Sequence, residues 1–169
     1  VAVTITGDNW QIAGMPYNHG GNTSAHAIFA QKDNPLLVYH KLGNSAHNHT
    51  GAYGFQRLAD VSTIPAGFTV STFTPNCALT AYGRLWVANI TGNEQTVYFS
   101  DLQDPSNFTT GTSGYLDIST VIPTGDGITA LAAHNGFLII FCHRSILIYS
   151  GPKDPSTMAL QDATAFMND

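Results

Sequence analysis

The chain of 169 residues carries a formal net charge of −5, and only 10 % of its residues are charged, against a usual share of about 25 %. Six basic residues against eleven acidic ones exclude a basic groove for nucleic-acid phosphates, because such binding relies on clustered lysine and arginine. Glu94 is the only glutamate, so residues that favour exposed helices are scarce and we expect an all-β fold.

In chain order, short runs of β-branched and aromatic residues alternate with Gly, Pro, Asn and Asp, which is the pattern of strands joined by turns. A hairpin is predicted around Pro35, and two further strands flank a turn at Pro65. A helix is expected only after Pro155. The predicted early strands are residues 1–6, 10–14, 25–30, 36–40, 54–58 and 68–73, and residues 16–24 are predicted to be loop.

A longer hairpin recurs in the second half of the sequence. Residues 81–99 contain two apolar runs joined by a Gly92-Asn93 turn, and residues 133–149 repeat that arrangement. An Asp-Pro-Ser triplet follows each copy, at 104–106 and at 154–156. A repeat of roughly 40 to 50 residues built from several short strands is typical of β-propeller blades.

We therefore predict β-propeller-like blades of antiparallel strands, with a β-sandwich as the alternative architecture. Residues 1–45 are predicted to form N-terminal strands and loops rich in His, Gly and Asn, which could be a partial blade. Blades are predicted at 46–108 and 109–160, and a tail or linker at 161–169.

The chain is expected to be a segment of a larger protein. It begins at Val1 rather than Met, and its last residues carry no stop signal. A propeller usually closes with about four to eight blades, so further blades would come from the missing chain or from neighbouring subunits. No apolar run approaches the roughly 18 residues of a membrane span, and no membrane partner is expected.

Ten positions are predicted to hold the repeat together rather than to carry chemistry. They are turn residues and core aromatics: Gly83, Trp86, Tyr98, Asp101, Asp104, Pro105, Gly136, Tyr149, Asp154 and Pro155. The hairpins at 83–99 and 136–149 are predicted to correspond, with Leu85, Val87, Leu138 and Ile140 pointing inward. Trp86 could stack on sugars, but its apolar strand favours a place in the core.

Aspartates offer the only pattern suited to acid–base catalysis. Asp101 and Asp104 follow one strand, and Asp60 and Asp117 occupy equivalent positions in the repeat, so two carboxylates could serve a glycosidase. An aspartate that recurs at a turn, however, usually accepts hydrogen bonds from the backbone of that turn. Neither a Gly-x-Ser-x-Gly nor a phosphate-loop motif occurs. We predict no catalytic residues, no enzymatic activity and no cofactor.

Histidines and cysteines give no strong metal motif. His47 and His49 could share one face of a strand, with His19, His26 or His40 completing a shell of ligands. No cysteine or carboxylate accompanies the pair at a familiar spacing, so we predict polar loop residues rather than a metal site. Cys77 and Cys142 are predicted to be buried, reduced thiols.

The motif GRLWVA at 83–88, followed by VYFSDLQDPSNF at 97–108, resembles the nozzle proteins (tail tubular protein B) and related tail hub or stabilisation proteins of short-tailed bacteriophages. The family pattern is GRLWVA…VYxSDLxDPxxF, within a propeller-like domain. GFLIIF at 136–141 with IYSG at 148–151 resembles the next blade, so the resemblance covers about residues 55 to 156. Full nozzle proteins are several times longer than this chain.

The resemblance implies a structural virion protein of the phage tail. It implies a hexameric ring of identical copies beneath the portal and adaptor, next to other tail proteins, through which genomic DNA is ejected without specific binding. The family pattern contains no catalytic residues. The alternative is a carbohydrate-binding or glycan-degrading propeller that acts as a receptor-binding tail component.

Overall fold

The computed structural model describes residues 10–19, 22–31, 34–41, 53–61 and 63–165. Within them, twelve strands form three four-stranded antiparallel sheets, so the all-β prediction is confirmed. Each sheet is a meander in which strands that are consecutive in sequence lie side by side. Antiparallel neighbours can be joined by two-residue turns, as between β5 and β6, β6 and β7, β9 and β10, and β10 and β11, and the abundant turn residues supply these turns.

The first sheet contains β1 (Gln11–His19), β2 (Asn22–Ala30), β3 (Leu37–Lys41) and β4 (Tyr53–Arg57). A short helix, α1 (Leu58–Val61), follows it. Residues 16–24 were predicted to be loop, and this prediction is wrong for residues 16–19 and 22–24, which lie in β1 and β2. Pairing of β1 with β2 continues from the Gln11–Ala30 pair to the His19–Asn22 pair, because ladder hydrogen bonds outweigh the weak strand propensity of the intervening polar residues. The predicted strand at 1–6 lies outside the described residues.

The second sheet contains β5 (Cys77–Ala81), β6 (Arg84–Ile90), β7 (Asn93–Phe99) and β8 (Gly114–Asp117). The third contains β9 (Ile128–His134), β10 (Phe137–Cys142), β11 (Ser145–Ser150) and β12 (Ala159–Ala165). The two predicted hairpins are thus the second and third strands of separate sheets. The sheets divide the chain differently from the predicted segments, because β8 follows the expected boundary at 108 and β12 crosses the one at 160.

Two other predicted elements are wrong. Residues 68–73 form turns instead of a strand, since the Thr72 hydroxyl accepts a hydrogen bond from the Thr69 amide at 2.8 Å and the Phe73 amide reaches the Thr69 carbonyl. The helix expected after Pro155 is only a 3₁₀ turn, Pro155–Thr157, before β12 begins. Pairing of β12 with β11 supplies hydrogen bonds that a short helix there could not match.

Sequential packing of the three sheets buries two apolar layers. Leu85 and Val87 of β6 face the first sheet, where Ile28 and Val38 are fully buried against them. The opposite face of the second sheet packs on the third, and the residues of that layer include Trp86, Ala88, Phe99, Leu138, Ile140 and Leu147. The middle sheet is therefore covered on both faces, as a blade within a propeller is and as a sheet in a two-layer sandwich is not.

The first strands of the sheets lie next to each other along one side of the stack. The Thr80 hydroxyl of β5 donates to the Gly14 carbonyl of β1 at 2.7 Å, and the Cys77 thiol donates to the Thr129 carbonyl of β9 at 3.1 Å. Matching turns follow β5 and β9, where Gly83 and Gly136 have φ angles of 75° and 85°. Glycine suits these turns because L-residues rarely adopt positive φ.

Candidate functional site

Residues of the GRLWVA…SDLQDP motif come together at one end of the second sheet. The Gln103 amide donates to the Gly83 carbonyl at 2.6 Å. A Cβ atom at Gly83 would lie 2.9 Å from the Leu102 side chain, so the turn between β5 and β6 packs tightly on the segment that follows β7. The two halves of the motif thus meet in space although Gly83 and Gln103 are twenty positions apart in sequence.

Arg84 connects this end of the sheet to the segment before β8. Its Nη1 donates to the Ser100 carbonyl at 2.8 Å and to the Thr112 carbonyl at 3.1 Å, and its Nη2 donates to the Thr112 hydroxyl at 2.7 Å. The side chain is only 2 % exposed. Burial lowers the pKa of Arg84, while the charges of Asp101 and Asp154 oppose that shift. The guanidinium is therefore a buried structural clamp.

Asp101 completes the clamp. Its carboxylate accepts hydrogen bonds from the Leu102 amide, the Thr112 amide and the Thr112 hydroxyl at 2.8 to 2.9 Å. Burial raises the pKa of Asp101, but these bonds and the nearby Arg84 charge outweigh it, so the pKa is lowered. A Cβ atom at Gly111 would overlap this carboxylate. Sequence reasoning did not single out Thr112, and no motif marked it.

The two Asp-Pro-Ser triplets have the same hydrogen bonds. The Asp104 carboxylate accepts the Ser106 hydroxyl at 2.6 Å and the Ser106 amide at 3.0 Å. Asp154 accepts the Ser156 hydroxyl at 2.6 Å and the Ser156 amide at 3.2 Å. Both carboxylates are thereby engaged by their own turn. The first triplet differs in being buried, with Asp104 only 4 % exposed.

The core aromatics of the motif occupy two different layers. Trp86 has no exposed surface, its indole Nε1 donates to the Ala81 carbonyl at 3.0 Å, and its ring lies 5.1 Å from that of Phe99. It therefore offers no face to a sugar. Tyr98 and Tyr149 both point toward the preceding sheet, but Tyr98 pairs with Val87 and Tyr149 with Leu138, so they occupy different register positions.

Asp126 forms a second buried carboxylate network, which sequence reasoning missed. It accepts the Ser145 hydroxyl at 2.7 Å, the Gly127 amide at 2.9 Å and the Arg144 amide at 3.2 Å. Burial raises the pKa of Asp126, but these hydrogen bonds outweigh burial and lower it. The Asp-Gly dipeptide before β9 indicated a turn, but the contact with the β10–β11 turn depends on tertiary structure.

A polar cavity of about 540 Å³ opens between the second and third sheets, beside the β6–β7 turn, the segment before β9 and the β10–β11 turn. Glu94, Asp117, Asp126 and His143 are among the residues that line it. The Asp126 carboxylate is already engaged by its own turn, and Asp117 accepts a hydrogen bond from the Ser119 amide at 2.9 Å. These carboxylates thus stabilise loops around the cavity.

A second cavity, of about 570 Å³, lies beside β8. Tyr115 is 68 % exposed there, and its ring centroid lies 6.1 Å from that of the buried Tyr98. Asn93, Thr96 and Asp117 add polar groups to the same wall. An exposed aromatic ring next to amide, hydroxyl and carboxylate groups is a surface on which a sugar ring can stack and form hydrogen bonds.

Of the five histidine candidates, the structure brings His26 and His40 together. His47 and His49 lie outside the described residues. His26 and His40 stack at 4.9 Å inside the first sheet, and His40 Nε2 lies 2.8 Å from Gln56 Oε1. Among the residues that the structure describes, no group of three His, Cys, Asp or Glu side chains is arranged to hold a metal ion.

The cysteines are free thiols, of which Cys77 is buried and Cys142 is partly buried. Burial raises the pKa of Cys77 to about 11. For Cys142, burial and the nearby Asp126 charge raise the pKa to about 12. Cys142 is thus less enclosed than the sequence analysis predicted.

In the described ranges, no helix is long and apolar enough to cross a membrane. No protein-family model matches the chain, and no curated protein matches it either.

Proposed function

We propose that the chain is a non-enzymatic structural part of a phage tail nozzle or hub, located in the virion. In this proposal, identical copies line the path along which genomic DNA leaves the particle, and they contact the adaptor, the portal and other tail proteins. The proposal starts from the motif resemblance at 83–108. A structural observation also supports it: the three strands β1, β5 and β9, which lie along one side of the stack of sheets, contain no formally charged residue.

That side is formed by the first strands of the three sheets. The segments β1, β5 and β9 contain no Asp, Glu, Lys or Arg residue. A wall that guides DNA must not retain it, because each Lys or Arg that neutralises a phosphate adds salt-dependent affinity. An uncharged side allows DNA, a polyanion, to pass without being held. In a ring of identical copies, every copy presents the same uncharged side to the DNA.

The aspartates support a structural rather than catalytic role. Asp101, Asp104, Asp126 and Asp154 each accept hydrogen bonds from the loops that contain or contact them. A glycosidase needs one carboxyl group that donates a proton and a second that attacks or activates water. The lowered pKa values of Asp101 and Asp126 instead favour permanently ionised groups, which are unsuited to the acid role.

Three experiments test this proposal. Antibodies raised against the chain should label the tail end of purified phage particles, and labelling confined to other structures would refute the location.

In a titration with duplex DNA at physiological salt, we expect no measurable binding. Ala133→Lys and His134→Lys, at exposed positions of β9, should slow ejection without impairing assembly. Lys at the exposed loop residue Thr120 is the matched control and should leave ejection unchanged.

The Tyr115 cavity favours a second candidate function, the recognition of a carbohydrate receptor. A stacked sugar would lie on the exposed tyrosine ring, with Asn93 and Asp117 available to its hydroxyl groups. Calorimetric titration with maltoheptaose, cellohexaose and chitohexaose would test this function. Binding that is lost in Tyr115→Ala would support it, whereas no heat with any of the three would count against it.

A further inference from the structure

The stack of sheets ends in two apolar faces, one on the first sheet and one on the third. In the described part of the chain, each sheet packs its apolar residues on the next one. Leu85 and Val87 of the second sheet, and Leu138 and Ile140 of the third, are fully buried by the sheet that precedes them. The corresponding side of the first sheet is not buried in this way.

That side of the first sheet, here called the first end face, consists of Ile12, Phe29, Leu37, Tyr39, Tyr53, Phe55 and Arg57, of which Leu37 is buried. The register places them on one surface, since Ile12 pairs with Phe29, Leu37 pairs with both Phe29 and Arg57, and Tyr39 pairs with Phe55. Ile12 is 66 % exposed, Phe55 55 %, Tyr53 50 % and Tyr39 38 %. Isolated exposed apolar residues are ordinary, but a contiguous aromatic face marks an interaction surface.

The aromatic rings of the first end face are already ordered against each other. The ring centroids of Tyr39 and Phe55 lie 4.9 Å apart, those of Phe29 and Phe55 5.4 Å, and those of Tyr39 and Tyr53 5.7 Å. Preorganised rings lose little side-chain entropy when another surface covers them. The face is therefore ready to pack without rearrangement.

The opposite end of the stack, here called the last end face, is mainly aliphatic. Ile139 pairs with Ile148, Phe141 pairs with Ile146, and Asp162 lies beside Ile148, so these side chains share one surface. The four apolar residues are partly buried within their own sheet. They occupy the side of the third sheet that corresponds to Trp86, Ala88 and Phe99 of the second, which the following sheet covers.

We propose that the last end face of one copy packs on the first end face of a second copy. The chain carries both halves of this contact, an aromatic surface and an aliphatic one, in the same order as the two internal sheet contacts. Charge supports the pairing, because Arg57 lies on the outermost strand of one face and Asp162 on the outermost strand of the other. The contact is heterologous, so it closes into a ring or continues as a filament.

The contact also accounts for the number of sheets. The described residues of one copy form three sheets, whereas propellers close with about four to eight blades. A second copy in this contact would continue the series of sheets beyond those three. The inference does not rest on the proposed function.

Light scattering during gel filtration tests the contact, with circular dichroism as the check of folding. The unmodified chain should have the mass of two or more copies. Phe55→Asp and Ile148→Asp should each raise the dissociation constant of this contact at least about tenfold, as expected when a charge replaces a central apolar contact. Tyr115→Asp, at an exposed aromatic residue on neither end face, is the matched control and should keep the mass of the unmodified chain.

Mixing the two variants separates this contact from other dimers. Phe55→Asp retains an intact last end face and Ile148→Asp an intact first end face, so the mixture should form dimers at a concentration where each variant alone is monomeric. Dissociation by Phe55→Asp but not by Ile148→Asp would indicate two first end faces packed together and would overturn the proposal. If Phe55→Asp fails to fold, Tyr53→Asp replaces it. A monomeric unmodified chain, or a six-copy assembly that both variants leave intact, would also overturn it.

Discussion

Replacing Trp86 by alanine should remove the largest side chain of the layer between the second and third sheets. The residue has no exposed surface, lies 5.1 Å from the Phe99 ring and donates to the Ala81 carbonyl. Truncation of a buried aromatic to alanine costs about 3 to 5 kcal/mol. Total stabilities are about 5 to 15 kcal/mol, so the variant should lose about a fifth of its stability or more and should not form soluble assemblies.

Urea unfolding followed by far-ultraviolet circular dichroism measures this loss, since a fluorescence signal from tryptophan would itself change. Trp86→Phe separates the two contributions, because it keeps most of the apolar contact and should cost about 1 kcal/mol for the hydrogen bond to Ala81. Tyr115→Ala, at an exposed position, should change the free energy of unfolding by less than about 1 kcal/mol. A Trp86→Ala variant with an unchanged melting temperature would show that the layer does not hold the sheets together.

Other predictions concern the turns and the thiols. Asp104→Ala should destabilise the chain by about 1 to 3 kcal/mol, and Asp154→Ala by clearly less. The reason is that the same hydrogen bonds are buried in the first turn and exposed in the second. Equal losses of the free energy of unfolding in urea would contradict this. Since hydrogen bonds lower the folded-state pKa of Asp126, its contribution to stability is complete above pH of about 4 and falls as pH drops through the folded-state pKa. Asp126→Asn should therefore weaken the acid-side pH dependence of the melting temperature, and an unaltered dependence would exclude this role. With pKa values of about 11 and 12, Cys77 and Cys142 should react with Ellman's reagent at pH 8 only after unfolding, and rapid native labelling would refute their protection.

The sequence by itself determined the all-β class and the repeat. Scarce helix-favouring residues, β-branched runs and turn residues all act locally, so they could be recognised without a structure. The hairpins around Gly83 and Gly136 were predictable for the same reason, since glycine at a tight turn reflects the local need for positive φ. The shared bonding of Asp104 and Asp154 also follows from a short motif whose donor lies two residues away.

Only the tertiary structure decided where each sheet ends and which residues meet. The assignment of β8 and β12 to their sheets depends on pairing with β7 and β11, which weak local propensity does not reveal. The contact of Asp126 with Ser145 spans nineteen residues, and that of Arg84 with Thr112 spans twenty-eight. The aromatic residues of the first end face look like ordinary strand residues in sequence. Their exposure becomes meaningful only when neighbouring sheets show that the equivalent face is normally covered.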